Sequence, residues 1–462
     1  MVFVALAMVA IVAMAALSID VITLYLAREE AQRAADASAI AAAKILALSG
    51  MTGDPQNTTS NWVFVCGPDD GTNGLATRVA KSVAAQNTIG GQAATTATVL
   101  YSAGTGSSMG AGVADCVSLT GTAFGVNPIV TVQVTRASLP SFFSRLWGNS
   151  GNTISATATA EAFNPSNSGN SGNQTTGTIT PVQPRCVKPW IVPNVDPMFA
   201  GNPIVNVTDG SIFHKGITLG GLSANGVIGE RFWLVPDCGS SGGSCALIGG
   251  SPPSANVGTP SPNLQYVPGQ VGTTSVIGVP GCTTSDPFEV AIEGCDQPTN
   301  YSCGVPDAGN IVDLSENPMG PTTNGVQCLI HQRDAGNTAS SSGQDYFATF
   351  GAPSTYPFQI LAGSGSAAVT AGLPTGNQVS TSASIVSLPI YDNVGTPSLN
   401  GAGQTPVTFV GFLQVFINAV DASGNINVTV LNVAGCSNGS GAAVGDPVIS
   451  NSPVPVRLVT PP

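Results

Sequence analysis

From Met1 to Ile19 the chain carries no charged side chain: MVFVALAMVAIVAMAALSI. A helix of that length spans about 28 Å at ~1.5 Å per residue, close to the hydrocarbon thickness of a bilayer. A secretory signal would show a basic start, a shorter apolar core and a cleavage site leading into a turn. None of these is present. The helical pattern instead continues through DVITLYLAREEAQRAADASAIAAAKILALSG, with no proline or glycine before Gly50. The spacing predicts one unbroken helix over 1–50, about 72 Å long, well beyond a membrane span or an ordinary globular helix.

The second half of this segment repeats small side chains at three- and four-residue spacing: Ala27, Ala31, Ala34, Ala35, Ser38, Ala41, Ala42 and Ile45. Such a stripe lets another backbone approach closely. It fits equally a helix that packs on its own body and one that bundles with copies of itself. Glu29, Arg33, Asp36 and Lys44 lie on another face, with Glu29 and Arg33 in the favourable i, i+4 order. Asp20 breaks the apolar run. A carboxylate in hydrocarbon is costly unless paired, so Asp20 either marks the outer membrane interface or pairs in an assembly with Arg28 or a neighbouring N-terminal amine. Phe3 and Tyr25 are the only aromatic residues of the first fifty, too few for conduction through stacked rings.

Beyond the helix, the composition points outside the cytoplasm. Only 8% of the 462 residues are charged, against roughly a quarter in typical soluble domains. The 56 glycines and 34 prolines imply many turns, while 42% apolar residues suffice for large cores. The net charge of −12 excludes the basic footprint that nucleic-acid binding needs. Ten cysteines, Cys66, Cys116, Cys186, Cys238, Cys245, Cys282, Cys295, Cys303, Cys328 and Cys436, form an even set. In an exported body they predict up to five disulfides. Cys238 with Cys245, Cys295 with Cys303, and Cys66 with Cys116 are the closures that suggest themselves. Zinc is disfavoured: there is no C-x-x-C pair, and His214 and His331 are the only histidines.

The expected fold class is α+β: the long helix, a small α+β module over 51–163, a linker over 164–180, and a larger, mostly β, cysteine-rich domain over 181–462. In the small module, LATRVAKSVAAQN (75–87) reads as an amphipathic helix. PIVTVQVTRASL and TISATATAEAF alternate as strands, with Val130, Val132 and Val134 on one face. LPSFFSRLWG between them reads as a helical turn. NPSNSGNSGNQTTGTIT is a flexible Gly/Ser/Asn/Thr linker. Further on, GVIGERFWLV and SIVSLPIYD are short strand candidates. VTFVGFLQVFINAV and INVTVLNVAGC straddle DASGN as a hairpin whose near-continuous apolar runs place it at the centre of the fold.

Two stretches of the N-terminal module resemble the Tad/Flp pilus-assembly TadE/TadG-like family. One is the apolar run leading into DVITLYLAREEAQRAADASAIAAA, from Asp20 to Ala43. The other is VTVQVTRASLPSFFSRLWG followed by ISATATA, Val130–Gly148 and Ile154–Ala160. CVKPWIVP, SLPIYD and GFLQVF with VLNVAGC are more weakly similar to C-terminal regions of some TadG-like proteins. Two departures stand out. Members usually begin with a basic stretch where Met1 already lies in the apolar run, so an internal start or a processed product is expected. Ala5 stands where type IV pilins commonly carry Glu.

The resemblance implies a structural subunit of an extracellular pilus-like filament. It would pass through the inner membrane and the secretion machinery, then form homo-oligomers through the helix, with Phe3, Asp20, Tyr25, Arg28, Ala31, Ala34, Ala35, Ser38 and Ala42 as assembly residues. The alternative is a membrane-anchored assembly factor or adhesin with an outer binding domain. No enzyme, cofactor or resident metal is expected. The G-x-S-x-G strings around Ser108 and Ser241 lack the strand and helix of a nucleophile elbow. GPDDGTNG (67–74) lacks the terminal Glu of a calcium loop, leaving an Asp/Asn/Gly turn as the plain alternative.

Overall fold

The structure is a computed structural model. It describes residues 2–53, 62–105, 108–109, 112–119, 124–125, 127–139, 143, 151–164, 182–199, 202–208, 210–214, 216–217, 226–236, 262–272, 276–277, 282, 285–296, 299, 301–304, 309–332, 343–348, 358–394, 399, 403–436 and 448–459. Cys238, Cys245 and linker residues 165–180 lie outside this set. So does the turn expected over 139–148, apart from Leu139 and Phe143. The chain divides into two compact units: 1–46, 59–162 and 456–462 in the first, 47–58 and 163–455 in the second.

Helix α1 runs unbroken over Val2–Leu48. Alanine and the unbranched residues favour the helix throughout, and nothing interrupts it until Gly50 adopts a left-handed φ of 71°. A side chain there would collide with Ile228.

In the first unit, α2 (Trp62–Cys66) and α3 (Leu75–Gln86) precede an antiparallel sheet. Its strands are β1 (Thr96–Thr105), β2 (Ser108–Met109), β3 (Pro128–Leu139) and β4 (Asn152–Ala162). Helix α3 ends where Asn87 turns both its backbone and side-chain N–H groups to the Val83 carbonyl. Strand β3 shows the expected alternation, with Val130, Val132 and Val134 fully buried. They stand opposite Ala160, Ala158 and Ala156 of β4. Trp62 meets Phe124 edge-on at 5.4 Å, and Tyr101 joins them while sharing a 2.6 Å hydrogen bond with Thr77. The Cys66–Cys116 disulfide ties this module to itself, as the sequence suggested.

The second unit is built on a closed barrel. Its strands are β5 (Trp190–Pro193), β6 (Arg231–Pro236), β7 (Asn263–Pro268), β8 (Ile385–Tyr391), β9 (Phe409–Val420) and β10 (Ile426–Gly435). Around the barrel the order is β7-β5-β8-β9-β10-β6. The β9–β10 hairpin is central as expected. Every residue of β10 is buried, and so is β9 as far as Asn418. The parallel pairs β5–β8 and β6–β7 complete the closure and leave the barrel without free edges. Helices α4 (Pro287–Glu293) and α5 (Met319–Leu329) pack on each other beside it.

The expected Cys295–Cys303 closure is not formed. Cys295 pairs with Cys186, Cys303 with Cys436, and Cys282 with Cys328. The fold carries Cys436, just past β10, to within 5.4 Å (Cα–Cα) of Cys303, and Cys186 to within 4.6 Å of Cys295. Those separations are the ones a disulfide requires, whatever the distance along the chain. The last strand, β11 (Val456–Val459), belongs to the first unit. It pairs antiparallel with β4, placing Arg457 opposite Glu161, to which it also hydrogen-bonds.

Candidate assembly site

Helix α1 changes character along its length. In its first half, large apolar side chains face solvent on every side. Phe3 is 87% exposed, Tyr25 is 66% exposed, and Val2, Met8, Val9, Ile11, Met14, Leu17, Ile22 and Leu26 are likewise open. Its apolar window has a mean hydropathy of 2.8, high enough for a membrane span. The second half is the reverse. Ala31, Ala34, Ala35, Ser38 and Ala42 are completely buried within the subunit, and Ser38 turns its hydroxyl back to the Ala34 carbonyl. The small-residue stripe therefore has its neighbour inside the chain. Arg28 remains exposed at the border between the two halves.

Three side chains fasten α1 within the first unit. Gln32 donates to the Thr157 carbonyl of β4 at 3.3 Å. Glu30 accepts from the Gly90 N–H at 2.7 Å, in a turn where Gly90 and Gly91 both have positive φ. Asp20, 4% exposed, accepts the Phe143 N–H at 3.1 Å. Within the subunit, then, the Asp20 carboxylate is engaged by a backbone amide. Its burial makes the exposed surface of α1 uncharged from Val2 to Ala27, past the position where the sequence appears to break.

Residues 1–44 match the Flp pilus-assembly TadE/G-like family model. No curated protein and no solved structure matches the chain. The TadE/G-like segment is thus α1 itself, and together with its apolar surface it fits a pilus-assembly-related protein that is membrane-anchored or surface-exposed. The strings at 130–160 that also resemble the family lie outside the matched residues. The family is in general non-enzymatic.

The other motifs fall into structural roles. Cys328 is joined to Cys282, so it offers no thiolate to His331. Glu293 lies near the same two sulfurs, which are bonded to each other and not available as metal ligands. In the 67–74 turn, Asp70 accepts from the Thr72 and Asn73 N–H groups and the Asn73 amide, and these bonds hold its pKa below the ordinary carboxylate value. The carboxylate closes its own turn. Asp69 pairs with Lys81 at 2.6 Å.

Sequence reasoning missed Glu30 and Gln32, the residues that dock the TadE/G-like helix on its turn and strand. The adjacent glycines at 90 and 91 were the available signal for a tight turn with a spare N–H.

Proposed function

We propose that the chain is a structural subunit of a pilus-like filament, assembled through the first half of α1. The carrying observation is the uncharged, all-round apolar surface from Val2 to Leu26. That stretch is about 37 Å long, against a hydrocarbon core of about 30 Å. Burying it against equivalent helices at ~25 cal/mol per Å² is worth on the order of tens of kcal/mol before ordering costs. A lone anchor needs only the bilayer-length part. The remainder, including Ile22, Tyr25 and Leu26, is better covered by neighbouring copies. In this reading the inner membrane holds the subunit before assembly, and the disulfide-tied units form the outer sheath.

The second reading, a membrane-tethered assembly factor or adhesin, draws on the same helix used only as an anchor. Shearing cells and imaging the released material separates the two. Filaments containing this chain support the subunit role, whereas recovery solely in inner-membrane vesicles refutes it.

A further inference from the structure

Outside α1, the second unit exposes four large apolar side chains among the described residues: Val207, Phe213, Tyr346 and Val394. Three of them, Val207, Phe213 and Val394, line one hollow of about 430 Å³. Val394 is 89% and Phe213 50% exposed. Scattered apolar residues are ordinary on a protein surface, but their concentration in one concavity is not. The volume falls within the range of small-ligand sites, and barrel mouths are a common place for them.

The hollow is built where adjacent parallel strands finish. Asn194 follows β5, and Asp392 and Asn393 follow β8, its parallel neighbour. Asn194 is fully committed to the frame, exchanging hydrogen bonds with the Val205 N–H and carbonyl at 2.9 and 2.7 Å. That exchange holds the 203–207 wall against the strand ends. Asp392 accepts the Val394 N–H at 3.0 Å and so shapes the turn that presents Val394. Asn393 is different. Its Oδ1 is shielded from water and accepts no hydrogen bond among the described residues. A buried amide oxygen without a donor costs about 1–3 kcal/mol, which a ligand hydroxyl would recover.

Asp392 is the one charged side chain lining the hollow among the described residues, and no cation lines it. An anionic ligand would meet repulsion there. The lining instead combines an open aromatic face, aliphatic walls, amides and one carboxylate. That set matches a neutral sugar, which has an apolar C–H face for the ring and hydroxyl donors for the oxygens. From these observations we infer that the second unit carries a binding site for a neutral saccharide, with Phe213 as the stacking face and Asn393 as an acceptor. The inference stands on the second unit alone and holds whether or not α1 builds filaments.

The test uses the full chain in lipid nanodiscs, which avoids glycoside detergents. Saturation-transfer NMR is recorded with the methyl α-glycosides of glucose, mannose, galactose and N-acetylglucosamine, with glycerol and methyl sialoside as controls. At least one neutral glycoside should give saturation well above both controls. Its Kd should rise at least tenfold in Phe213→Ala and in Asn393→Leu, each with an unchanged thermal midpoint. Should neither variant keep its midpoint, contacts between labelled Phe213 ring protons and the sugar C–H protons in the wild type decide the matter. The site is refuted by saturation no greater than the controls, by binding of the sialoside alone, by affinity retained in a folded variant, or by absent Phe213 contacts. It is also refuted if Phe213→Ala abolishes self-association while no glycoside binds, which would make the hollow a protein contact.

Discussion

The backbone N–H of Phe143 donates to the Asp20 carboxylate, 3.1 Å from Oδ2 and 3.4 Å from Oδ1. One contact thus couples the apolar helix to the segment that joins β3 and β4, and removes from the helix surface the only charge before Arg28. Asp20→Ala should destabilise the first unit by about 1–3 kcal/mol, because a partly buried N–H loses a charged acceptor. Asp20→Asn, which keeps one acceptor oxygen, should cost less. Hydrogen exchange at the Phe143 amide gives the reading: it should quicken in the alanine variant, by roughly tenfold for each 1.4 kcal/mol lost. Unchanged exchange would show that the contact contributes nothing.

The two halves of α1 should respond oppositely to substitution. Ala35 has no exposed surface, so Ala35→Leu should overpack its site and cost about 1–3 kcal/mol in thermal or chemical unfolding. Tyr25 is largely open. Tyr25→Ala should leave the unfolding midpoint within about 0.5 kcal/mol of the wild type while reducing the yield of sheared filaments.

Much of this helix was legible in advance. The absence of proline and glycine before Gly50 implied its length, and the three- and four-residue spacing of alanines implied a close partner. Periodicity shows that a face is small, but not whose backbone approaches it. Only the fold shows that Ala31, Ala34 and Ala35 are buried within the subunit. The strands divide the same way. Strand β3 and the β9–β10 hairpin announce themselves through alternation or continuous apolar runs beside turn residues. Strands β5, β6 and β7 do not, since their partners lie far along the chain and their few residues carry little pattern. The return of β11 to β4 is equally silent, because Val456–Val459 has no feature that distinguishes one sheet edge from another.

Two buried ionisable groups of the second unit should give opposite pH slopes. Glu230 is 1% exposed, and neither of its carboxylate oxygens accepts a hydrogen bond among the described residues. Burial first, then the nearby Asp196 charge, pushes its pKa up to about 10. The folded state therefore holds a proton that the unfolded state releases near 4.5, and stability falls as pH rises through that window. Glu230→Gln should flatten the slope, gaining about 1–3 kcal/mol at pH 8 and little at pH 4. Chemical denaturation at the two pH values checks it, and equal effects at both would contradict the assignment.

Lys188 runs the other way. It is 4% exposed and donates to the Ala291 and Gly294 carbonyls at the end of α4. Burial lowers its pKa to about 7, partly countered by Glu293. The cost of keeping the buried ammonium is present in full below pH 7. It is relieved between there and about 10.5, so this group makes stability rise with pH. Lys188→Met should remove that rise. It should also lose about 1–3 kcal/mol at pH 9, where the carbonyls miss their donor.

The long-range disulfides should dominate the second unit's resistance to unfolding. Cys303 and Cys436 are 133 residues apart, and Cys186 and Cys295 are 109 apart. Replacing Cys303 and Cys436 by Ser should cost about 2–5 kcal/mol. Non-reducing peptide mapping should recover the 303–436 and 186–295 pairs; a 295–303 peptide would contradict the fold.

The measurement that bears most directly on the assembly account is photo-crosslinking in intact cells, with a benzophenone side chain at position 3, 25 or 35. Positions 3 and 25 should give ladders of covalently joined copies in the sheared fraction, while position 35 should give only crosslinks within one chain. Lipid adducts and single chains alone from positions 3 and 25 would mean that the apolar half of α1 is an anchor, and that copies of this chain do not meet through it.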